Sequence, residues 1–173
     1  HRLAQGHPRA DKAIELLRSR QESFGACIGR WRDNYLYGTW QVLAGLHACG
    51  VSPEDPMVSR AADWLESVQQ PSGAWGEGCE SYEDKALAGV GTATASQTAW
   101  ALLGLVFAGR AKSPAALAGA RWLAETQREG TWDEVPFTGT GFPKVFYLKY
   151  HYYRHYFPLM ALGRWLKAVE APR

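Results

Sequence analysis

The sequence shows no strong excess of either charge: nineteen basic residues stand against seventeen acidic ones, for a net charge of +2. No basic run or stripe is present that would neutralise a row of phosphates, which argues against nucleic acid as a partner. Long hydrophobic runs are missing as well. The most apolar stretch, Ala99 to Ala108, falls far short of the ~20 residues that span a bilayer and reads as a core helix. Cysteine is scarce. Cys27, Cys49 and Cys79 are odd in number and widely spaced, which excludes a secreted disulfide framework and fits reduced, mostly buried thiols in a reducing compartment. The first twenty residues are charged and amphipathic, unlike a secretion signal. The chain opens on His1 with no Met, which predicts a removed natural N-terminus or a segment of something longer. Convincing alternation of apolar and polar residues between turns is also lacking, so no strand is expected.

What is present in quantity is aromatic. Eight Trp, eight Tyr and six Phe in 173 residues exceed the usual need of one core of this size, so some of these rings invite a second use. Apolar residues make up 46% and charged ones 21%, a balance that excludes disorder and fits one compact unit or a piece of one. Apolar positions recur at helical spacing throughout. Helices are predicted from Ala10 to about Ser23, from Tyr35 to Cys49 with Gly50 as its cap, and after Ser52-Pro53 through Val58, Ala62, Leu65 and Val68. A long loop to about Thr92 precedes a helix through Ala99–Ala108 and another from Ser113-Pro114 to Gln127. Pro143 is expected in the first turn of an aromatic helix that Pro158 interrupts, with a last helix carrying Leu159, Leu162, Leu166 and Val169. The fold class is all-α.

A repeat runs through this pattern. Gln69-Gln-Pro-Ser-Gly73-Ala-Trp75 and Gln127-Arg-Glu-Gly130-Thr-Trp132 each place Gln, Gly and x-Trp at a helix end, and Gln21-Glu-Ser-Phe-Gly25-Ala-Cys27 is a weaker copy. Gly suits the left-handed cap, Gln can bond orphaned backbone groups, and Trp can pack over the helix end. Helix pairs closed in this way suggest stacked or toroidal α/α architecture, since no single pair buries its own apolar face.

These repeats resemble the QW motifs of the triterpene cyclases. The runs Gly73-Ala-Trp-Gly-Glu-Gly-Cys-Glu-Ser-Tyr-Glu-Asp84 and Ser96-Gln-Thr-Ala-Trp-Ala-Leu102 are similar to those of the bacterial squalene–hopene cyclases. So are Arg30-Trp31, Asn34-Tyr-Leu-Tyr-Gly-Thr39, Gly139-Thr-Gly-Phe-Pro143 with Phe146-Tyr-Leu148, Tyr153-Arg-His155 with Phe157-Pro158, and Ala161-Leu-Gly-Arg164. The similarity covers about residues 10 to 168. It implies an α/α barrel, of which residues 1–173 would be the C-terminal portion of the catalytic domain, with the family's second barrel upstream. The family's acid motif, Asp-x-Asp-Asp-Thr-Ala, is nowhere in these residues. Cys27 replaces the Trp expected in the first repeat.

The implied chemistry is proton-initiated polycyclisation of squalene to hopene-type pentacyclic products, with no metal or organic cofactor. Protonating an alkene takes one strong acid and a dry cavity, and ring faces stabilise the resulting cations without offering a lone pair, worth ~2 kcal/mol or more when desolvated. By motif position Phe142 and Phe146 match cavity phenylalanines, Tyr150 and Tyr153 cavity tyrosines, Trp31 a cavity tryptophan and Tyr37 a tyrosine near the acid. Tyr82 matches a position on that same side, where oxidosqualene relatives carry Cys. On a continuous helix Phe146, Tyr150, Tyr153 and Phe157 would share a face; Phe157 is assigned to the core. Trp75 and Trp132 are structural. His151 and His155 are spaced for zinc, but no Glu lies between them in the expected pattern and no third ligand is evident, so no metal is assigned. With the acid expected upstream, the isolated segment is predicted inactive. The resemblance further implies a full-length homodimer bound peripherally to the cytoplasmic side of a membrane. Two other readings stay open: a non-catalytic half-barrel that binds apolar lipids or a partner subunit, and a related cyclase acting on another terpene.

Overall fold

The computed structural model describes residues 4–29, 35–142 and 145–171. Six α-helices lie among them: α1 (Pro8–Arg20), α2 (Tyr35–Ala48), α3 (Pro56–Ser67), α4 (Ala95–Phe107), α5 (Pro114–Thr126) and α6 (Tyr153–Glu170). Three start on proline, whose fixed φ and missing N–H suit a first turn. Asp55 caps α3 by accepting from the Met57 N–H, and Ser113 caps α5 by accepting from that of Ala116. The all-α expectation holds, and helix α4 is its centre. Eleven of its thirteen residues are buried, and it packs on α2 on one side and α6 on the other, with α3 and α5 outside. The helices thus alternate between an inner row and an outer one along the chain.

The repeats fasten the outer row. The Gln21 side-chain amide donates to the Gly25 carbonyl (2.8 Å) and to that of Met57 in the first turn of α3 (2.9 Å). Gln69 does the same to Gly73 (2.8 Å) and to Ala115 in the first turn of α5 (2.9 Å). Gly25, Gly73 and Gly130 all hold left-handed φ values, of 102°, 90° and 82°. At Gly73 a Cβ would sit 2.9 Å from the Ala118 carbonyl oxygen of α5. The indole N–H of Trp75 donates to the Leu65 carbonyl at 2.7 Å and that of Trp132 to the Leu123 carbonyl at 2.8 Å, capping the ends of α3 and α5. Cys27 has no indole to offer, yet its backbone N–H still donates to the Thr39 hydroxyl (2.9 Å), as that of Trp75 does to Thr98 (3.1 Å). All three cysteines are free, and burial foremost, with Glu22 nearby, pushes the Cys27 thiol up to about 12, where it is unreactive.

Two buried glutamates, each two residues past a repeat tryptophan, close the inner row. Glu77 accepts from the backbone N–H groups of Tyr35 and Leu36 at the start of α2 (both 2.9 Å) and from that of Gly89 (3.2 Å). Glu134 accepts from the Ser96 N–H at the start of α4 (3.0 Å), and the Ser96 hydroxyl lies 2.7 and 2.8 Å from its two oxygens. Burial pushes the Glu77 carboxyl from 4.5 up to about 7, against the lowering effect of its N–H donors.

The described residues between Gly139 and Tyr153 correct the sequence expectation, while Pro143 lies outside the described residues. Gly139–Phe142 (β1) and Phe146–Leu148 (β2) form an antiparallel hairpin, with Phe142 opposite Phe146 and an irregularity after Thr140. Glycine and aromatic residues favour this bulged ribbon over a helix. The helix begins only at Tyr153, and Pro158 sits inside α6 rather than interrupting it. In the second turn it forfeits a single backbone bond.

The Gly73→Ala chain combines a left-handed φ with a crowded Cβ and is expected to lose ~2–3 kcal/mol. Gly50→Ala, with φ 79° and nothing within 4 Å of the new Cβ, should lose only ~1 kcal/mol. Equal losses in urea unfolding would contradict the close contact with α5. Glu77 gives a pH signature: its folded pKa exceeds the unfolded one, so its stabilisation is complete below about 4.5 and is lost as pH rises to about 7, by ~1.4 kcal/mol per unit. Unfolding curves across this window should slope down for the parent chain and flatten for Glu77→Gln; identical slopes would refute the assignment.

Candidate functional site

Rings from three elements meet along the inner row. Trp40 of α2 and Trp100 of α4 stack at 6.5 Å, and Phe157 of α6 stands edge-on to both at 5.4 Å. Phe157 is buried, as a core residue should be. Tyr37 meets Trp100 edge-on at 5.0 Å and accepts a hydrogen bond from Gln41 through its hydroxyl. Tyr153 lies 6.0 Å from Trp100 and stacks on Tyr150 at 4.6 Å. Four elements of chain therefore bring Tyr37, Tyr150 and Tyr153 into one ring cluster through Trp100 and Phe157. Tyr150 reaches it from the segment between β2 and α6, with its ring against the backbone of Gly139.

Phe142 and Phe146 form a second group. Facing each other across the hairpin, their rings are 5.8 Å apart, edge to face. They are 54% and 45% exposed, so they do not belong to the core. The single helical face expected for Phe146, Tyr150, Tyr153 and Phe157 is not formed: Phe146 is on a strand, Tyr150 precedes α6, and only Tyr153 and Phe157 are helical. The tyrosines still converge because the hairpin root packs against Tyr150.

Tyr82 is placed on the α1 side. It ends a short 3₁₀ turn, Cys79–Tyr82, and its hydroxyl donates to the Gly29 carbonyl at 3.4 Å. There it borders an apolar cavity of about 590 Å³ with Leu16, Leu17, Ile28 and Val42. Trp31 lies outside the described residues. His155 is engaged with the Thr131 hydroxyl at 3.0 Å.

Sequence reasoning missed Glu77 and Glu134, although Gly73-Ala-Trp-Gly-Glu77 and Gly130-Thr-Trp-Asp-Glu134 carry the signal, a glutamate two residues past each indole. It also missed the linking role of Trp40 and Trp100. No helix among the described residues is long and apolar enough to cross a membrane.

Comparison with known proteins accords with this geometry. The family described as the squalene-hopene cyclase C-terminal domain matches residues 1–167. A squalene–hopene cyclase of Alicyclobacillus acidocaldarius is 52% identical over 160 residues, covering 92% of this chain and 25% of that protein. One from Bradyrhizobium diazoefficiens is 49% identical over 154 residues, covering 88% of this chain and 23% of its own length. A dammaradiene synthase of Dryopteris crassirhizoma is 41% identical over 177 residues, covering 94% and 26%. The chain spans about a quarter of the length of the curated relatives it matches. With the whole helical unit and both full repeats inside the match, this chain belongs to the squalene–hopene cyclase C-terminal domain family.

Proposed function

We propose that these residues form part of the cavity wall of a proton-initiated polyene cyclase that converts squalene to hopene-type pentacycles, the acid coming from a portion of the protein outside this sequence. The observation that carries the reading is the exposure of the paired Phe142 and Phe146 rings on the hairpin whose root packs against Tyr150. A fold that needed these rings only for packing would bury them. Facing a polyene, their faces stabilise positive charge as it moves along the chain and offer no lone pair to end the cascade. Tyr37 and Tyr82 are assigned to the side of the cavity near the acid, where a phenol can hydrogen-bond the acid or its water and help restore its proton. Trp31 completes the wall in this assignment. The whole protein is proposed to be a homodimer on the cytoplasmic side of a membrane, taking its polyprenoid substrate from the lipid.

The test is product analysis with the full-length protein that carries this segment. The parent is expected to release pentacyclic hydrocarbon or alcohol from squalene, and Phe142→Ala to release partly cyclised products. An unchanged product profile in Phe142→Ala would remove that ring from the wall. A parent that cyclises a different terpene would point to a related cyclase. The 173 residues alone should leave squalene unchanged; turnover by them would overturn the placement of the acid elsewhere.

A further inference from the structure

The two buried glutamates stand in the same place in successive repeats, two residues after Trp75 and Trp132. Each ties the first turn of an inner helix to a segment that carries candidate wall residues. Glu77 holds the Tyr35 and Leu36 N–H groups, immediately before Tyr37, and the Gly89 N–H at the far end of the loop that contains Tyr82. Glu134 holds Ser96, and the Thr138 hydroxyl donates to it at 3.4 Å, one residue before the hairpin that bears Phe142 and Phe146. Both carboxyl groups and Thr138 are buried, with exposures of 3%, 6% and 1%, so water cannot replace a lost partner freely. A cleft of about 420 Å³ lies between the two segments, with Glu77 and Cys79 on one side and Phe137 and Tyr147 on the other, and the Cys79 thiol donates across it to the Phe137 carbonyl at 3.8 Å. Each segment thus has a carboxyl clamp at its own root, and the first is tied as well by Tyr82 to Gly29 and by Lys85 to Glu22.

We propose that Glu77 and Glu134 are positioning residues of the cyclase, each fixing one part of the aromatic wall: Glu77 the part with Tyr37 and Tyr82, Glu134 the hairpin with Phe142 and Phe146. Neither is a catalytic residue, since each acts through the backbone it holds. The proposal rests on the cyclase reading above, and two readouts keep the two apart.

The first readout is hydrogen–deuterium exchange in the full-length protein, which requires no turnover. Glu134→Ala should speed exchange in residues 139–148 roughly tenfold and leave the first turn of α2 unchanged, and Glu77→Ala should do the reverse. Glu134→Gln should restore most of the protection, because an amide can still accept from the Ser96 N–H and donate to its hydroxyl. Should Glu134→Ala fail to fold, Ser96→Ala removes the hydroxyl half of the same contact. The second readout is the product ratio per folded molecule. Glu134→Ala should raise the share of partly cyclised products several-fold, while Glu77→Ala should lower kcat with little change in that ratio. Exchange that rises evenly through the domain, with activity falling only in step with the folded fraction, would overturn the proposal. A parent inert towards squalene would count against the cyclase reading, and the exchange pattern alone would then decide whether the glutamates act locally.

Discussion

A helix that begins inside a protein leaves its first N–H groups without partners, and each one left unsatisfied is costly. The inner row of this fold begins that way, so its helices depend on polar side chains brought from elsewhere in the chain. Ser96, Gln97 and Thr98, the first polar turn of α4, are all buried, and all three are spoken for. The Thr98 hydroxyl lies 3.1 and 3.3 Å from the Trp75 N–H and carbonyl. Gln97 accepts from the Glu77 N–H and donates to its carbonyl, and Ser96 meets Glu134. One turn of helix therefore reads the ends of two repeats at once. Through Glu77 the network extends to the start of α2, and through Glu134 to the root of the hairpin.

The outer row solves the opposite end of the same problem. Carbonyls left over at the ends of α3 and α5 take the indole N–H of the repeat tryptophan, and the repeat glutamine reaches across to the next helix. A left-handed glycine brings the turn close enough for that reach. Helix pairs are thus joined at both rows by side chains from a few consecutive residues. Arg18 adds a charged tie from α1 to Asp55, the cap of α3. The pairing holds the Asp55 carboxyl below its usual range, with the hydrogen bond from Arg18 as the leading cause.

Much of this was legible in the sequence because the repeat is local. Gln, Gly and Trp recur at nearly fixed spacing, and each has one physical job at a helix end, so the caps, the helix order and the all-α class could all be read. The hairpin was not legible. Phe146, Tyr150, Tyr153 and Phe157 fit a helical period, but only the last two are helical: Phe146 is on β2 and Tyr150 in the link after it, which packs on Gly139 of β1. The glutamates escaped for another reason. A carboxyl in a loop reads as solvated, and only the fold reveals that Glu77 and Glu134 point at helix starts some forty residues earlier in the chain. Tyr82 was identified by motif position alone, and nothing in its local pattern specifies the contact with Gly29.

The same carboxyl groups raise a chemical question for a cavity of the proposed kind, since a free carboxylate beside a carbocation would capture it or take its proton. Placement answers this for both residues. Glu77 turns its oxygens toward three backbone N–H groups, and Glu134 toward an N–H and two hydroxyls. Lone pairs engaged by such donors are not free to attack a cation at the ring faces. Burial behind the backbone lets these groups brace the wall, while the surfaces left for a substrate are ring faces. A wall made of side chains with no lone pair to offer needs rigid support, because rings alone pack without directional bonds. Polar clamps set one layer behind the rings supply that rigidity and keep their own reactivity out of reach.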